Sequence, residues 1–183
     1  MIRLRPYKPC DAKYISGWLL DQQVYFYWGG YRFGEYPLDP NVMNEKYQLH
    51  NGDCAEPDNF YPFTAVSEEG PVGHFIIRYM QGDPKILRLG WVVVDSSKRG
   101  CGYGKEMLKL ALEYCFRIMR ADKVTIGVFE KNAVAYGCYR SVGFHESIDR
   151  KGSEETFNGM VYRIAELDIT KEEYAERNPE YHI

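Results

Sequence analysis

This sequence lacks the motifs that are typical of metal-binding, disulfide-stabilised and nucleic-acid-binding proteins. It contains no Cys-x-x-Cys pair, no Cys/His zinc spacing and no long run of lysine and arginine. The five cysteines are odd in number and widely spaced, which favours reduced thiols over a disulfide framework or a metal site. The net charge is −3 and nothing in the sequence indicates a basic face, so we expect no nucleic-acid partner.

Long apolar segments are also missing. Residues 1–9 lack the apolar core of a signal peptide, and no run approaches the roughly 18 apolar residues that a membrane span needs. We therefore expect a cytoplasmic protein without a membrane partner, either a monomer or a homodimer.

The chain has 183 residues, which is enough for one domain with a core, and apolar residues recur with strand or helix periodicity along most of it. Strand patterns come early and then alternate with helix patterns, which predicts a mixed α/β (α+β) domain over residues 1–169 and a polar tail, frayed or helical, over residues 170–183. The predicted strands are 1–7 at a sheet edge, 61–66 and 72–80 in a hairpin, 85–95, 123–130 and 159–169. The predicted helices are 9–28 with Asp11 as a possible N-cap, 42–50, 105–120 and 132–143.

Alternating glycines follow the predicted strand 85–95. Gly100, Gly102 and Gly104 precede a helix, an arrangement that lets backbone N–H groups surround a phosphate. The Rossmann spacing fails, because Lys105 and Met107 stand where a third glycine is required, and the Walker A pattern fails as well. The loop therefore supports neither NAD nor ATP, and a tight turn without a ligand stays open.

A second segment, NAVAYGCYRSVGF at residues 132–144, accompanies the loop. The ordered pair resembles the GNAT superfamily of N-acetyltransferases, whose members have a valine-rich strand, an Arg/Gln-x-x-Gly-x-Gly/Ala loop and a later Asn-x-x-Ala-x-x-x-Tyr-x-x-x-Gly-Phe segment. Residues 4–21 are similar to the branch that contains ribosomal-protein N-terminal acetyltransferases. The resemblance implies a mixed, mostly antiparallel central sheet that is splayed at its middle and flanked by helices.

The resemblance implies acetyl-CoA as co-substrate and no metal. The loop would bind the pyrophosphate, and the strand backbone at Val92 and Val94 would pair with the pantetheine amides, with the Val94 N–H polarising the thioester carbonyl. Asn132 would bind the pantetheine arm or simply cap a helix. The implied coenzyme A contacts are Val92, Val93, Val94, Arg99, Gly100, Cys101, Gly102, Tyr103, Gly104, Asn132 and Tyr139.

The implied chemistry is direct attack of a neutral amine on the thioester. Tyr139 would protonate the leaving thiolate, although a core tyrosine would fit the same pattern. Arg88 stands where many members carry a carboxylate, so the general base is open among His74, Glu130 and a water relay. A Cys138 nucleophile is disfavoured, because no His-Asp companions are evident.

The ring-rich segment at residues 25–36 is implied to form one wall of the acceptor site, with Tyr27, Trp28, Tyr31 and Arg88 as substrate contacts. The alternative is that these rings cover the sheet or a dimer contact. We expect acetyl transfer to a primary amine, on a small molecule or at a peptide or protein N-terminus. A non-catalytic coenzyme A sensor and an acyltransferase for another acyl-CoA are the alternatives.

Overall fold

The computed structural model describes residues 1–180; the last three residues of the predicted tail, 181–183, lie outside the described part. The strands are β1 (Arg3–Pro6), β2 (Tyr61–Ser67), β3 (Gly70–Met80), β4 (Asp83–Val94), β5 (Lys123–Phe129), β6 (His145–Glu146), β7 (Ser153–Phe157) and β8 (Met160–Thr170). The helices are α1 (Ala12–Trp18), α2 (Gln22–Trp28), α3 (Pro40–Gln48), α4 (Tyr103–Glu113), α5 (Ala133–Ser141) and α6 (Lys171–Arg177).

The chain forms two compact units, and β3 and β4 pass through both of them. The first unit consists of Met1–Arg78 and Gly90–Met107. Its strand order is β1-β2-β3-β4, with β1 at the edge as predicted and antiparallel to β2. Its core combines α1, α2 and α3 with the sheet; the buried residues are Ala12, Ile15, Trp18, Leu19, Tyr25, Trp28, Phe33, Leu38, Met43, Tyr47, Ile76 and Val93.

The second unit consists of Tyr79–Leu89 and the residues from Leu108 onward. Its strand order is β4-β5-β8-β6, and β7 pairs with β8. The β4–β5 ladder is parallel and runs from Ile86↔Lys123 to Leu89↔Ile126, whereas β6, β7 and β5 each pair antiparallel with β8. The strands therefore form the mixed, mostly antiparallel sheet, flanked by helices, that we predicted.

The predicted helix 9–28 is wrong in two respects. It divides into α1 and α2, because the Asp21 side chain accepts the Val24 N–H (2.7 Å) and starts a new helix. Asp11 occupies the N-cap position of α1 as predicted, but its side chain does not cap that helix: the buried carboxylate accepts hydrogen bonds from the Lys8 N–H (2.9 Å), the Arg5 guanidinium (2.7 and 2.8 Å) and the Thr64 hydroxyl (2.7 Å). Sequence periodicity does not reveal these partners, since they lie on β1 and β2.

The predicted helix 105–120 begins earlier, at Tyr103, and ends in a π-helical turn over Tyr114–Ile118. This turn inserts one residue into the helical repeat and rotates the apolar face. Phe116 is therefore buried, whereas Ile118 is 65% exposed.

Two other differences concern β-structure. The turn before the predicted strand 85–95 lies at Gln81-Gly82, where both residues have positive φ, so Asp83 and Pro84 belong to β4. Strands β6 and β7 were missed, because β6 has only two residues and β7 is largely polar. None of the helices within residues 1–180 is long and apolar enough to cross a membrane.

The start of the predicted tail is helical. Thr170 and Glu173 form a capping box at the start of α6, and the buried Tyr174 ring stacks on Phe116 with a centroid distance of 4.7 Å. Glu173 also contacts His145, whose Nε2 lies 2.8 Å from Oε1 of that carboxylate. A stacked ring pair and an ionisable pair thus hold α6 against the rest of the second unit.

We expect this pair to make stability depend on pH. The Glu146 carbonyl and the Glu173 carboxylate raise the pKa of His145. A raised folded pKa stabilises the folded state fully below the unfolded pKa of about 6.5, and this contribution is lost as pH rises through the folded pKa. Although burial opposes it, hydrogen bonds from Thr170 and His145 lower the pKa of Glu173, so its contribution is lost as pH falls through that value.

The measurement is urea unfolding between about pH 5 and about pH 9. As pH rises above about 6.5, we expect the free energy of unfolding of wild type to fall by at most about 1 kcal/mol, since the imidazole is a third exposed to screening solvent. His145→Gln should not show this decrease. His50→Gln is the control, because that side chain is 58% exposed. Equal pH profiles for wild type and His145→Gln would contradict the assignment.

Candidate active site

The glycine loop opens α4 in the first unit. Gly100 and Gly102 have φ of 80° and 84°, and a Cβ built on either meets no atom within 4 Å. The helix begins at Tyr103, so its first N–H groups have no partner within the helix. Two left-handed glycines in open space at a helix N-terminus have the backbone geometry that anion-binding loops use.

The side chains around the loop have different surroundings. Lys98 forms an ion pair with Glu69 on the β2–β3 turn, which raises the pKa of Lys98, whereas Arg99 and Cys101 are exposed. The Cys101 N–H lies 3.4 Å from the Lys98 carbonyl, a weak contact that leaves this group available to a better acceptor. Backbone groups and Arg99, rather than Lys98, are therefore suited to a phosphate.

The valine-rich end of β4 leads directly into this loop. Val93 is buried, while Val92 and Val94 are partly exposed, as strand alternation requires. The Asp95 N–H donates to the Val72 carbonyl (2.9 Å), and the Asp95 carboxylate accepts the Ser97 N–H (2.9 Å). The end of β4 is thus anchored to β3 before the chain turns into the loop.

One residue of β4 has a conformation that sequence reasoning missed. Trp91 has φ of 46°, in the left-handed region that bulky residues rarely adopt. Such strain persists only where the surroundings enforce it, and it often marks functional sites. No sequence signal predicts it, because glycine, asparagine or aspartate is the usual occupant of this region.

Rings surround Trp91 in what we call the aromatic cluster: Tyr7, Trp28, Phe33, Tyr47, Phe60 and Trp91. Phe33 lies 4.7 Å and Tyr47 lies 5.6 Å from Trp91, measured between ring centroids, and Trp28 stacks on Phe33 at 5.1 Å. The cluster gathers rings from α2, α3 and β4 and from the loops between elements. Trp28, Phe33 and Tyr47 are buried, whereas Tyr7, Phe60 and Trp91 are partly exposed, and exposed ring faces suit apolar and cationic groups.

The three predicted acceptor-side rings have different positions. Trp28 belongs to the aromatic cluster and is 7% exposed. Tyr27 and Tyr31 instead pack on Phe26, with centroid distances of 6.2 and 5.6 Å, and Tyr31 is 37% exposed beside Arg32. Trp28 therefore lies beside the strained strand.

His74, a candidate base, is fully buried on β3. Its Nε2 lies 2.8 Å from the Tyr47 hydroxyl oxygen, and burial lowers the pKa of the imidazole to about 3. The ring is therefore neutral at physiological pH and has little tendency to take a proton. Glu130, the other candidate, is exposed, and its N–H donates to the Arg163 carbonyl (2.9 Å).

Arg88 lies on the second-unit part of β4 and is engaged by a carboxylate. Its guanidinium donates to both oxygens of Glu166 on β8 (2.6 and 2.9 Å), and the Arg150 Nε lies 3.7 Å from the same carboxylate. Gly127 on the intervening β5 leaves space for this contact, since a Cβ there would lie 2.5 Å from the Arg88 Nη2. The sequence did not indicate Glu166, because it is 78 positions from Arg88.

We expect Arg88→Met to lower the free energy of unfolding by about 3 kcal/mol, because it leaves the Glu166 carboxylate buried without its bidentate partner. The two side chains are 15% and 7% exposed, so water replaces the lost bonds poorly. The double variant Arg88→Met, Glu166→Leu is the matched control, expected within about 1 kcal/mol of wild type. Urea unfolding measures both, and a single variant as stable as the double one would contradict this reading.

Helix α5 presents the second predicted segment. The Asn132 side chain accepts the Ala135 N–H (3.3 Å), so it caps the helix, and Gly143 with φ of 116° ends it as predicted. Tyr139 is 7% exposed, and burial raises the pKa of its phenol above the ordinary value. The phenol is therefore protonated at neutral pH, as an ordinary tyrosine is, and burial makes it a weaker acid.

A family model described as acetyltransferase (GNAT) family matches residues 19–144. The chain therefore belongs to the GNAT acetyltransferase family, whose members use acetyl-CoA as acetyl donor. The glycine loop and the whole α5 segment fall within the matched residues. The predicted enzyme class is thus confirmed.

The fold is also similar to solved structures from Vibrio cholerae. One is a spermidine N-acetyltransferase in complex with CoA and spermine, with a TM-score of 0.76 and 20% identity over 94% of this chain and 97% of that chain. Another is a structure of mutant forms of a spermidine/spermine N-acetyltransferase, with a TM-score of 0.72 and 19% identity over 97% of this chain and 99% of that chain. At this identity the similarity establishes the shared fold.

Proposed function

We propose that this chain transfers an acetyl group from acetyl-CoA to the primary amine of a small aliphatic molecule. The observation that carries the proposal is the glycine loop, in which two left-handed glycines leave open space at the start of α4 directly after a valine-rich strand. Membership of the GNAT family supports the coenzyme A pyrophosphate as the ligand of this loop.

The residues of the first unit would bind the donor through their backbone. N–H groups between Arg99 and Gly104 would bind the pyrophosphate, and Arg99 would add charge. Val92 and Val94 would pair with the pantetheine amides as a neighbouring strand does. When bound, acetyl-CoA supplies an activated thioester carbonyl, which the Val94 N–H would polarise.

Proton movement would involve few side chains. Tyr139, whose phenol is protonated at neutral pH, would donate its proton to the leaving thiolate. His74 is a poor base in its buried position, and Arg88 is engaged by Glu166, so a water molecule or Glu130 would take the proton from the amine. Asn132 would serve the site as the cap that starts α5.

The acceptor would be a cationic amine that loses its proton before attack. Trp91, which is partly exposed, would offer a ring face to an ammonium group and its aliphatic chain, with the buried Trp28 packed beside it. The net charge of −3 favours a cationic substrate over an acidic one. Structures of similar fold are spermidine N-acetyltransferases, which makes polyamines the first acceptors to test.

The test incubates the protein with acetyl-CoA and one amine at a time and follows the release of coenzyme A thiol. The panel contains spermidine, spermine, shorter diamines, an aminoglycoside and peptides with free N-termini. Turnover of aliphatic amines supports the proposal, and turnover of the peptides alone would favour the branch of ribosomal-protein N-terminal acetyltransferases. Longer acyl-CoA donors in the same assay test the acyl-chain preference.

A further inference from the structure

The strained peptide at the end of β4 has a dedicated hydrogen-bond donor. The Trp28 indole N–H donates to the Trp91 carbonyl oxygen at 2.8 Å, within the first unit. Trp28 is the last residue of α2 and is 7% exposed, so its ring is held rigidly. Few aromatic residues adopt positive φ, and this bond is directed at the peptide where the strain occurs.

The end of α2 is built to place this donor. Gly29 ends the helix with φ of 87°, and a Cβ at that position would lie 3.4 Å from the Trp91 Nε1, at the limit of ordinary contact. Phe33 stacks on Trp28 and packs on Trp91, which fixes both indole rings. The helix end, the glycine and the stacked ring together hold Trp28 against β4.

The carbonyl of Trp91 and the N–H of Val92 belong to one peptide unit. A trans peptide is planar, so its C=O and N–H point in opposite directions. A bond that fixes the Trp91 carbonyl toward Trp28 therefore fixes the Val92 N–H on the opposite side of the strand. Without that bond the left-handed conformation at Trp91 would be free to relax and to rotate this peptide.

We propose that Trp28 is a positioning residue for donor binding: its indole N–H locks the 91–92 peptide so that the Val92 N–H is presented to the pantetheine arm. The inference rests on the proposed function, because it needs coenzyme A as the ligand of this strand. It assigns Trp28 a role in binding the donor, in addition to its place among the rings of the aromatic cluster.

The experiment measures the Kd of CoA and of ADP by calorimetry for wild type and Trp28→Phe. ADP carries the pyrophosphate and lacks pantetheine, so it reports on the glycine loop alone. We expect Trp28→Phe to raise the Kd of CoA about tenfold, as expected for one hydrogen bond lost from a preorganised partner, and to leave the Kd of ADP within about twofold. With acetyl-CoA, KM should rise while kcat changes little.

Two further variants separate the hydrogen bond from packing. Trp18→Phe removes a similar ring from the same core and is expected to leave both Kd values unchanged. Benzothienylalanine at position 28 keeps the bicyclic shape without the N–H and is expected to match Trp28→Phe.

Three other results would overturn the proposal, and each excludes a different part of it. An unchanged Kd of CoA in Trp28→Phe, with wild type binding CoA, overturns the role of Trp28 alone. Equal loss of CoA and ADP, or an equal effect of Trp18→Phe, shows that Trp28 acts only through folding. Wild type that binds no CoA removes the proposed function together with this inference.

Discussion

Replacing Gly102 by aspartate is expected to abolish coenzyme A binding, raising its Kd by at least about a hundredfold. The Gly102 Cβ position is open, so the new side chain needs no rearrangement of neighbours and occupies the space where we place the pyrophosphate. A carboxylate there brings like charges together in a contact from which water is excluded, and such contacts cost several kcal/mol. Calorimetry with CoA and with ADP measures the effect.

Gly102→Asn is the matched control. Asparagine has the shape of aspartate without its charge, and both residues tolerate the left-handed region that φ of 84° requires. We expect this variant to lose no more than about tenfold in affinity, because it bears only the backbone cost of replacing glycine. If the two variants bind CoA equally well, the phosphate lies elsewhere.

Tyr139→Phe is expected to lower kcat by about a hundredfold while the Kd of coenzyme A stays within about threefold of wild type. Phenylalanine keeps the buried ring and removes only the hydroxyl that we propose as the proton donor. The measurement compares kcat for the best acceptor with CoA binding. A kcat equal to that of wild type would exclude Tyr139 as the general acid.

Tyr136→Phe provides a control on the same helix. Its hydroxyl donates to the Glu146 carboxylate at 2.7 Å, so the variant removes one phenolic hydroxyl and its hydrogen bond from α5. We expect kcat to change by less than about twofold, since Tyr136 has no part in the proposed proton transfer. A loss as large as that of Tyr139→Phe would instead point to disruption of α5.

The segments that the sequence located well have signals close together in the chain. The loop at residues 99–104 is marked by its own glycines, and α5 is marked by the cap residue Asn132 and the terminal Gly143. Local backbone requirements create these signals, so one short segment contains all the information needed. The order of the two segments was then sufficient to indicate the family.

The features that the sequence did not indicate depend on distant partners. Glu166 pairs with Arg88 because β5 places a glycine between β4 and β8, and Asp11 is buried because Arg5 and Thr64 reach it from two other strands. The left-handed Trp91 depends on surroundings that local propensity does not describe. Local sequence patterns predict neither side-chain pairing across strands nor backbone strain that tertiary contacts impose.

The most direct test of the proposed activity follows the acetyl group itself. The protein is incubated with acetyl-CoA labelled with ¹³C at the acetyl carbonyl and with spermidine, and the carbonyl signal is followed by NMR. We expect the thioester signal to be replaced by an amide signal on the polyamine, in step with release of one coenzyme A thiol per amide. A thioester signal that persists with every amine of the panel, although CoA binds, would contradict acetyl transfer to an amine.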